Sequence, residues 1–210
     1  MRLIGMLDSP YVRRVAITLD CMGIPFRHEA VSVFSTFEQF QRINPVVKAP
    51  SLVCDDGEVL MDSSLILQYA AALPACRNVM LPQTLPELQH ALRAMGLALA
   101  ACEKSVQIVY ERNLRPLEKQ HAPWLERVQG QLLAAYAGLE REVKRQTALF
   151  DGSLNQTSII AAVAWQFTRS MLASSVDAAQ FPALQKLSIT LEATPVFLRY
   201  PPDGPGVVGR

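Results

Sequence analysis

The chain has 210 residues, half of them hydrophobic and 19% charged, with 20 Lys+Arg against 19 Asp+Glu for a formal charge of +1. That is enough apolar material for one or two packed domains, and the near-neutral balance gives no global electrostatic case for nucleic acid or an anionic membrane as a partner. No run reaches the roughly 18 apolar residues of a membrane span, and Met1-Arg2-Leu3 leads into strand-like sequence rather than a signal peptide's apolar core, so the expected location is the cytoplasm.

Residues 2–6 read as a strand, and Pro10 to Met22 as a helix with Val12, Val15, Ala16, Leu19 and Met22 at helical spacing, stopped by Gly23. Phe26 to Val31 looks like a second strand. Thr36 to Ile43 forms a short helix that ends before Asn44-Pro45, because the residue preceding proline is pushed out of the helical region. "APSLVCDDGEVLMDSS" is a hairpin about an Asp-Asp-Gly turn, followed by a helix over Leu65 to Leu73 that Ser63 or Ser64 would cap. The order β-α-β-α-β-β-α predicts a small mixed sheet with helices on its faces.

Residues 1–75 are thus expected to form one domain and residues 76–86, rich in proline, a linker. Residues 87–210 read as helical. Leu88 to Arg112 and Trp124 to Val143 repeat apolar residues at three- and four-residue spacing, and the apolar stretch within Ser158 to Leu172 is expected to be the buried central helix of a bundle. A last helix lies between Phe181-Pro182 and Thr194-Pro195, and "PPDGPGVVGR" reads as a loose tail. Cys21, Cys54, Cys76 and Cys102 are far apart and make no metal-type cluster with His28, His90 and His121, so free thiols and no metal are expected.

By residue type alone, Ser9 before Pro10 is a helix N-cap, Asp62-Ser63 is another, and Lys48 is a solvated surface lysine. The wider pattern resembles the cytosolic glutathione S-transferase family. "SPYVRRV" looks like the signature that opens the first helix in serine-type members, "NPVVKAPSL" is similar to the family's Asn-Pro-x-x-Lys-Val-Pro-x-Leu loop, and "MDSS" to its acidic-Ser pair. "YERNLRP", "WLERVQGQLLAAYAGLE" and "FPALQKL" look like helical segments of a bacterial subgroup. The resemblance implies a thioredoxin-like α/β N-terminal domain followed by an all-α bundle, acting as a homodimer.

It also implies a site. Pro50 would be cis, presenting the backbone of Ala49 to the cysteinyl part of glutathione, the co-substrate. Ser63 at a helix N-terminus would take the γ-glutamyl carboxylate and Asp62 the α-ammonium group. Lys48 is a candidate for the glycine carboxylate or a γ-glutamyl contact. Ser9 would donate a hydrogen bond to the thiol sulfur and favour the thiolate, with Tyr11 as the alternative hydroxyl. Serine in place of cysteine at position 9 argues for conjugation or a related reaction, and Cys21 lies too far along the helix to substitute. The acceptor, a small hydrophobic electrophile or peroxide, would meet Met6, Leu7, Met95, Leu99, Val106, Tyr110 or Arg112.

One departure concerns the central helix. The family's Ser/Thr-x-x-Asp capping box is matched by Ser158 but has Ala161 in place of the aspartate, so a half-missing box and a somewhat less stable or slower-folding protein are expected. The competing functional reading is a transferase-like binding or regulatory protein of the stringent-starvation type, which keeps the fold without the catalysis.

Overall fold

The computed structural model describes residues 1–204 and 206. The expected tail over residues 201–210 therefore lies partly outside the described residues. Two compact units are present: Met1–Met80 with the described part of Thr194–Pro205, and Leu81–Ala193.

The first unit holds a four-stranded sheet of order β2-β1-β3-β4, from β1 (Arg2–Ile4), β2 (Arg27–Glu29), β3 (Ser51–Val53) and β4 (Val59–Met61). β1 and β2 are parallel, whereas β1–β3 and β3–β4 are antiparallel. The parallel pair requires a crossover, and α1 (Pro10–Cys21) supplies it. Each strand is only three residues long, shorter than the alternation of Arg2 to Met6 and Phe26 to Val31 suggests. Gly5, at φ 140°, turns the chain out of β1 at once.

Side chains alternate across the sheet. Ile4 and Val53 join Val31 and Phe40 of α2 (Phe37–Ile43) in one apolar cluster. Leu3 and Leu52, one residue out of phase, are wholly buried on the opposite side, as are Val12, Val15, Ala16 and Leu19 of α1. α1 packs on α3 (Ser63–Ala72) through Ile66, Leu67 and Ala70 as α3's buried positions. α3 starts earlier than expected: Asp62, not Ser63 or Ser64, is its N-cap, with its carboxylate accepting from the Ser64 N–H at 2.9 Å. Aspartate competes well here because Ser63 is already committed inside the helix.

The second unit is helical: α4 (Leu85–Leu114), α5 (Ala122–Arg145), α6 (Gln156–Met171) and α7 (Pro182–Glu192). α6 is buried continuously from Gln156 to Trp165. Trp165 meets Tyr136 and Phe181 edge-on, and Tyr136 and Phe181 are tilted at 54°, with centroids 5.2 to 5.9 Å apart. The Tyr136 hydroxyl is satisfied there by donating to the Ala164 carbonyl at 2.9 Å and pairing with Thr168 Oγ1 at 2.6 Å. The α7 N-terminus is capped from another helix: the buried Glu140 carboxylate of α5 accepts from the N–H groups of Ala183 at 3.0 Å and Leu184 at 2.9 Å.

The α6 capping box is complete, contrary to expectation. Asn155 is the cap; its Oδ1 accepts from Thr157 N at 3.0 Å and Ser158 N at 2.9 Å, while Ser158 Oγ accepts from Asn155 N at 3.1 Å. Ser158 is the reciprocal partner rather than the cap, and Ala161 is a core residue with no exposed surface. The box lies three residues earlier, built from Asn and Ser, so its incompleteness is no ground for lower stability.

The short helix α8 (Pro195–Arg199) was not expected as a separate element; it returns to the first unit, where Phe197 and Val196 are buried.

Candidate ligand site at one edge of the sheet

Register decides which loops meet. Ile4 pairs with Glu29 on one side and Ser51 on the other, and Ser51 pairs with Met61. The exit of β1, the entry of β3 and the exit of β4 therefore share one edge. That edge receives Gly5 to Ser9, Lys48 to Pro50, and Asp62 to Ser63, which include Ser9 and every position expected to bind glutathione.

Within the first loop, Gly5 is wedged between neighbours: a Cβ added there would come within 2.6 Å of Val12 Cγ2 and 3.3 Å of Ala49 Cβ. The absent side chain is what lets the loop after β1 lie against Ala49. The Gly5 carbonyl is bonded to His28 Nε2 at 2.8 Å. Ser9 follows as the N-cap of α1, with Pro10 next. Its Oγ accepts from Val12 N at 3.4 Å, a long bond that uses a lone pair and leaves the hydroxyl proton to be donated. Tyr11 lies half-buried in the first turn.

The Ala49–Pro50 peptide is cis. Its loop is pinned from beneath by Asn44 and Ser51, two residues of the NPVVKAPSL motif to which no role was assigned from sequence. Buried Asn44 donates from Nδ2 to Ser51 Oγ at 2.8 Å and accepts from Val46 N at 3.0 Å, while Ser51 Oγ donates to the Lys48 carbonyl at 2.8 Å. In the sequence Asn44 stands before Pro45 at the head of the NPVVKAPSL motif; the signal that it has a role is a buried amide bonded to Ser51 Oγ, to Val46 N and, at 3.6 Å, to Met61 Sδ of β4.

Lys48 Nζ lies 3.7 Å from Asp62 Oδ2, with both side chains about half exposed. Asp62 has φ 71°, a conformation that Asp tolerates better than most residues and that turns the chain from β4 into α3. Ser63 is 3% exposed at the first turn of α3, where unpaired N–H groups give a partial positive charge. Behind it lies Arg14, 1% exposed, which the sequence reading noted only as part of a motif. Its Nη1 donates to Ser63 Oγ at 3.2 Å and Ser64 Oγ at 3.3 Å, tying α1 to the start of α3. A guanidinium, a helix N-terminus and a hydroxyl with its own proton still available make an anion-accepting corner, next to the carboxylate of Asp62, which suits a cation.

Two thiols of the first unit, Cys21 and Cys54, are poor nucleophiles. Burial, with Asp20 adding to it, pushes Cys21 up to about 11, and burial also raises Cys54. Among the described residues no group of three or more His, Cys, Asp or Glu could hold a metal ion, and no helix is long and apolar enough to cross a membrane. The acceptor candidates divide: Met95 is buried in its own unit, Leu99 and Val106 are half-buried, Tyr110 is exposed, and Arg112 Nη1 donates to Ser175 Oγ at 3.1 Å. Met6 and Leu7 are half-buried in the Ser9 loop.

Comparison with known proteins agrees with this geometry. Residues 3–78 match the family model described as the glutathione S-transferase N-terminal domain. The chain is 26% identical over 160 residues to an uncharacterized GST-like protein, YibF, of Escherichia coli (strain K12), spanning 76% of this chain and 75% of that one. Its fold is similar to that of a Methylobacterium radiotolerans glutathione S-transferase solved in complex with glutathione sulfonate, with a TM-score of 0.85, 28% identity, and coverage of 100% of this chain and 98% of that one. A glutathione transferase family member from Pseudomonas fluorescens Pf-5, solved with bound S-(propanoic acid)-glutathione, is similar at a TM-score of 0.81 and 25% identity over 98% of both chains. Residues 3–78 thus match a glutathione S-transferase N-terminal domain, and the thioredoxin-like sheet followed by a helical unit is similar over the whole chain to the fold of solved glutathione transferases.

Proposed function

We propose that the protein is a cytoplasmic, serine-type glutathione transferase whose Ser9 hydroxyl stabilises the glutathione thiolate for attack on a small hydrophobic electrophile or a peroxide. The observation that carries this reading is the register row Ile4–Ser51–Met61, which delivers a hydroxyl, an edge backbone and an anion-accepting helix end to one place.

In this reading the Ala49 backbone exchanges hydrogen bonds with the cysteinyl unit, as an added strand would. The γ-glutamyl carboxylate docks on the Ser63 hydroxyl and the α3 N-terminus, with the Arg14 charge behind them favouring the anion. Asp62 takes the α-ammonium group. The 3.7 Å spacing of Lys48 and Asp62 supports a place for Lys48 at this γ-glutamyl end rather than at the glycine carboxylate.

A thiol of ordinary pKa, about 8.5, is mostly protonated at neutral pH. A donor aimed at the sulfur, with the α1 N-terminus beside it, stabilises the charged form. Ser9 needs no base to do this, since it donates a hydrogen bond and does not attack. Holding thiolate and acceptor together supplies the remaining rate gain. The half-buried Met6 and Leu7 beside Ser9 support an apolar acceptor. Family resemblance supports a homodimer.

Calorimetric titration with glutathione, followed by assays with an aryl halide and an organic hydroperoxide, tests the proposal. Binding with turnover of either acceptor is expected. No binding of glutathione overturns it, and binding without turnover of any electrophile assigns the protein to the binding or regulatory class.

A further inference from the structure

The segment after α7 runs back along α1 toward Ser9. Arg199 clamps Asp20, in the last turn of α1, through Nε at 3.0 Å and Nη2 at 2.8 Å. The Tyr200 ring stacks on Phe26 at 6.0 Å. Its carbonyl accepts from Arg13 Nε at 2.8 Å, and the Arg13 guanidinium lies 5.3 Å from the centroid of the Phe197 ring. Arg13 is only 1% exposed, and a buried guanidinium is costly unless its donors and faces are engaged. The segment ends on the loop that precedes α1: a Cβ added at Gly204 would run into the Asp8 carboxylate and stand 2.9 Å from Asp8 Cβ.

Asp8 is the neighbour of Ser9, whose carbonyl accepts from the Arg13 N–H at 3.0 Å but whose N–H and hydroxyl are held more loosely. The Ser9 N–H donates to the Met6 carbonyl at 3.2 Å and its Oγ accepts from Val12 N at 3.4 Å, both at the long end of the range. A donor that must meet a sulfur atom has to be held to within about 0.5 Å, so its placement depends on what supports the loop.

We propose that residues 194–204 are a strap that positions the Ser9 hydroxyl, and that Gly204 sets that position by admitting Asp8 against the strap's backbone. Arg13, Arg199 and Tyr200 fasten the strap along α1, and Gly204 presses on the loop at its end. Gly204 and Asp8 are positioning residues, acting on the thiol through Ser9. This rests on the thiol role proposed for Ser9.

The test uses the full chain carrying Gly204→Ala, alone and together with Asp8→Gly, which removes the obstructing side chain. Two quantities are read: ionisation of bound glutathione from thiolate ultraviolet absorbance against pH, with kcat and KM, and amide hydrogen exchange over residues 7–13 in the free protein. Gly204→Ala is expected to raise the thiol midpoint by about one pH unit and lower kcat by about tenfold, with KM for glutathione within about twofold because the Ala49 and Ser63 contacts are untouched. Adding Asp8→Gly is expected to recover kcat to within about threefold. An unchanged thiol titration in Gly204→Ala, or a loss that Asp8→Gly does not recover, overturns the strap.

If the unaltered protein binds no glutathione, the transferase reading fails and the strap is judged on exchange alone. Faster exchange over residues 7–13 in Gly204→Ala, reversed by Asp8→Gly, sustains it; unchanged protection overturns it.

Discussion

Replacing Ser9 by alanine separates the two tasks its hydroxyl can perform. As a cap, Oγ accepts a single bond from Val12 N at 3.4 Å. A bond that long belongs at the low end of cap energies, so a stability loss of about 0.5 kcal/mol is expected. As a donor to a thiolate it makes a hydrogen bond to a charged atom, with a net value of about 1.5–3 kcal/mol. Each pKa unit corresponds to about 1.4 kcal/mol, so losing that bond raises the bound thiol's pKa by about one to two units. The sign is fixed: the thiolate loses stabilisation, and the acid limb of kcat/KM moves to higher pH by the same amount, with activity recovering above it. Thiolate absorbance and a pH–rate profile on both proteins, with urea unfolding beside them, measure the two terms. An unmoved thiol titration accompanied by a stability loss of about 2 kcal/mol would make Ser9 a cap and refute the mechanism.

Asp62→Asn keeps the Oδ1 acceptor for Ser64 N and tolerates φ 71°, but removes the charge offered to an ammonium group. Glutathione affinity measured by calorimetry should fall about tenfold, while unfolding free energy changes by less than about 1 kcal/mol, because a half-exposed pair such as Lys48–Asp62 contributes little. In the second unit, Asn155→Ala strands the Thr157 and Ser158 N–H groups and should cost about 1–2 kcal/mol in urea unfolding. Ala161→Asp, which the family pattern would suggest as a repair, should instead cost about 3 kcal/mol or more, since it places a carboxylate in a fully buried position. For Glu142, burial alone would raise the carboxyl pKa, but hydrogen bonds from Arg145 and Arg93 outweigh burial and hold it below the usual glutamate range. A depressed folded pKa stabilises above the unfolded value, and that stabilisation is lost as pH falls through the folded one. Glu142→Gln should therefore be less stable than the unaltered protein at pH near 7 by denaturant midpoint, with the gap closing below about pH 4.

Periodicity carried most of the second unit into view, because α4 and α5 bury one apolar face and leave a 3.6-residue trace, whereas α1 and α6 are buried on all sides over much of their length. It overran the strands, since alternation continues through Met6 and Val31 where hydrogen bonding does not; Gly5 turns the chain away first. Caps were read one motif too late at both α3 and α6. At α3 three capping residues follow one another and the first of them, Asp62, takes the role, while at α6 the family's Ser/Thr-x-x-Asp pattern drew attention to Ser158 and away from Asn155. The candidate site positions came from the family resemblance, since by residue type alone Ser9, Asp62 and Ser63 read as helix caps and Lys48 as a surface lysine. What lies behind them was not legible: Arg14 reaches Ser63 across 49 positions and Arg13 reaches Tyr200 across 187. Contacts at such separations leave no local pattern, and a buried arginine on a helix reads from sequence as a charged, exposed one.

The shortness of the strands has a consequence for how this chain can vary. At about 3.3 Å per residue, three residues carry the backbone only about 10 Å from the Asp55–Gly57 hairpin tip to the edge that bears the candidate site. A ladder with so few rungs cannot absorb an insertion or deletion by sliding, because a one-residue slip inverts every side chain and misaligns Ile4, Ser51 and Met61 together. Length variation should be confined to the hairpin tip and to the connections away from that edge. Tags, inserted peptides or new chain ends are best tried at residues 55–57, where Gly57 has open space around it.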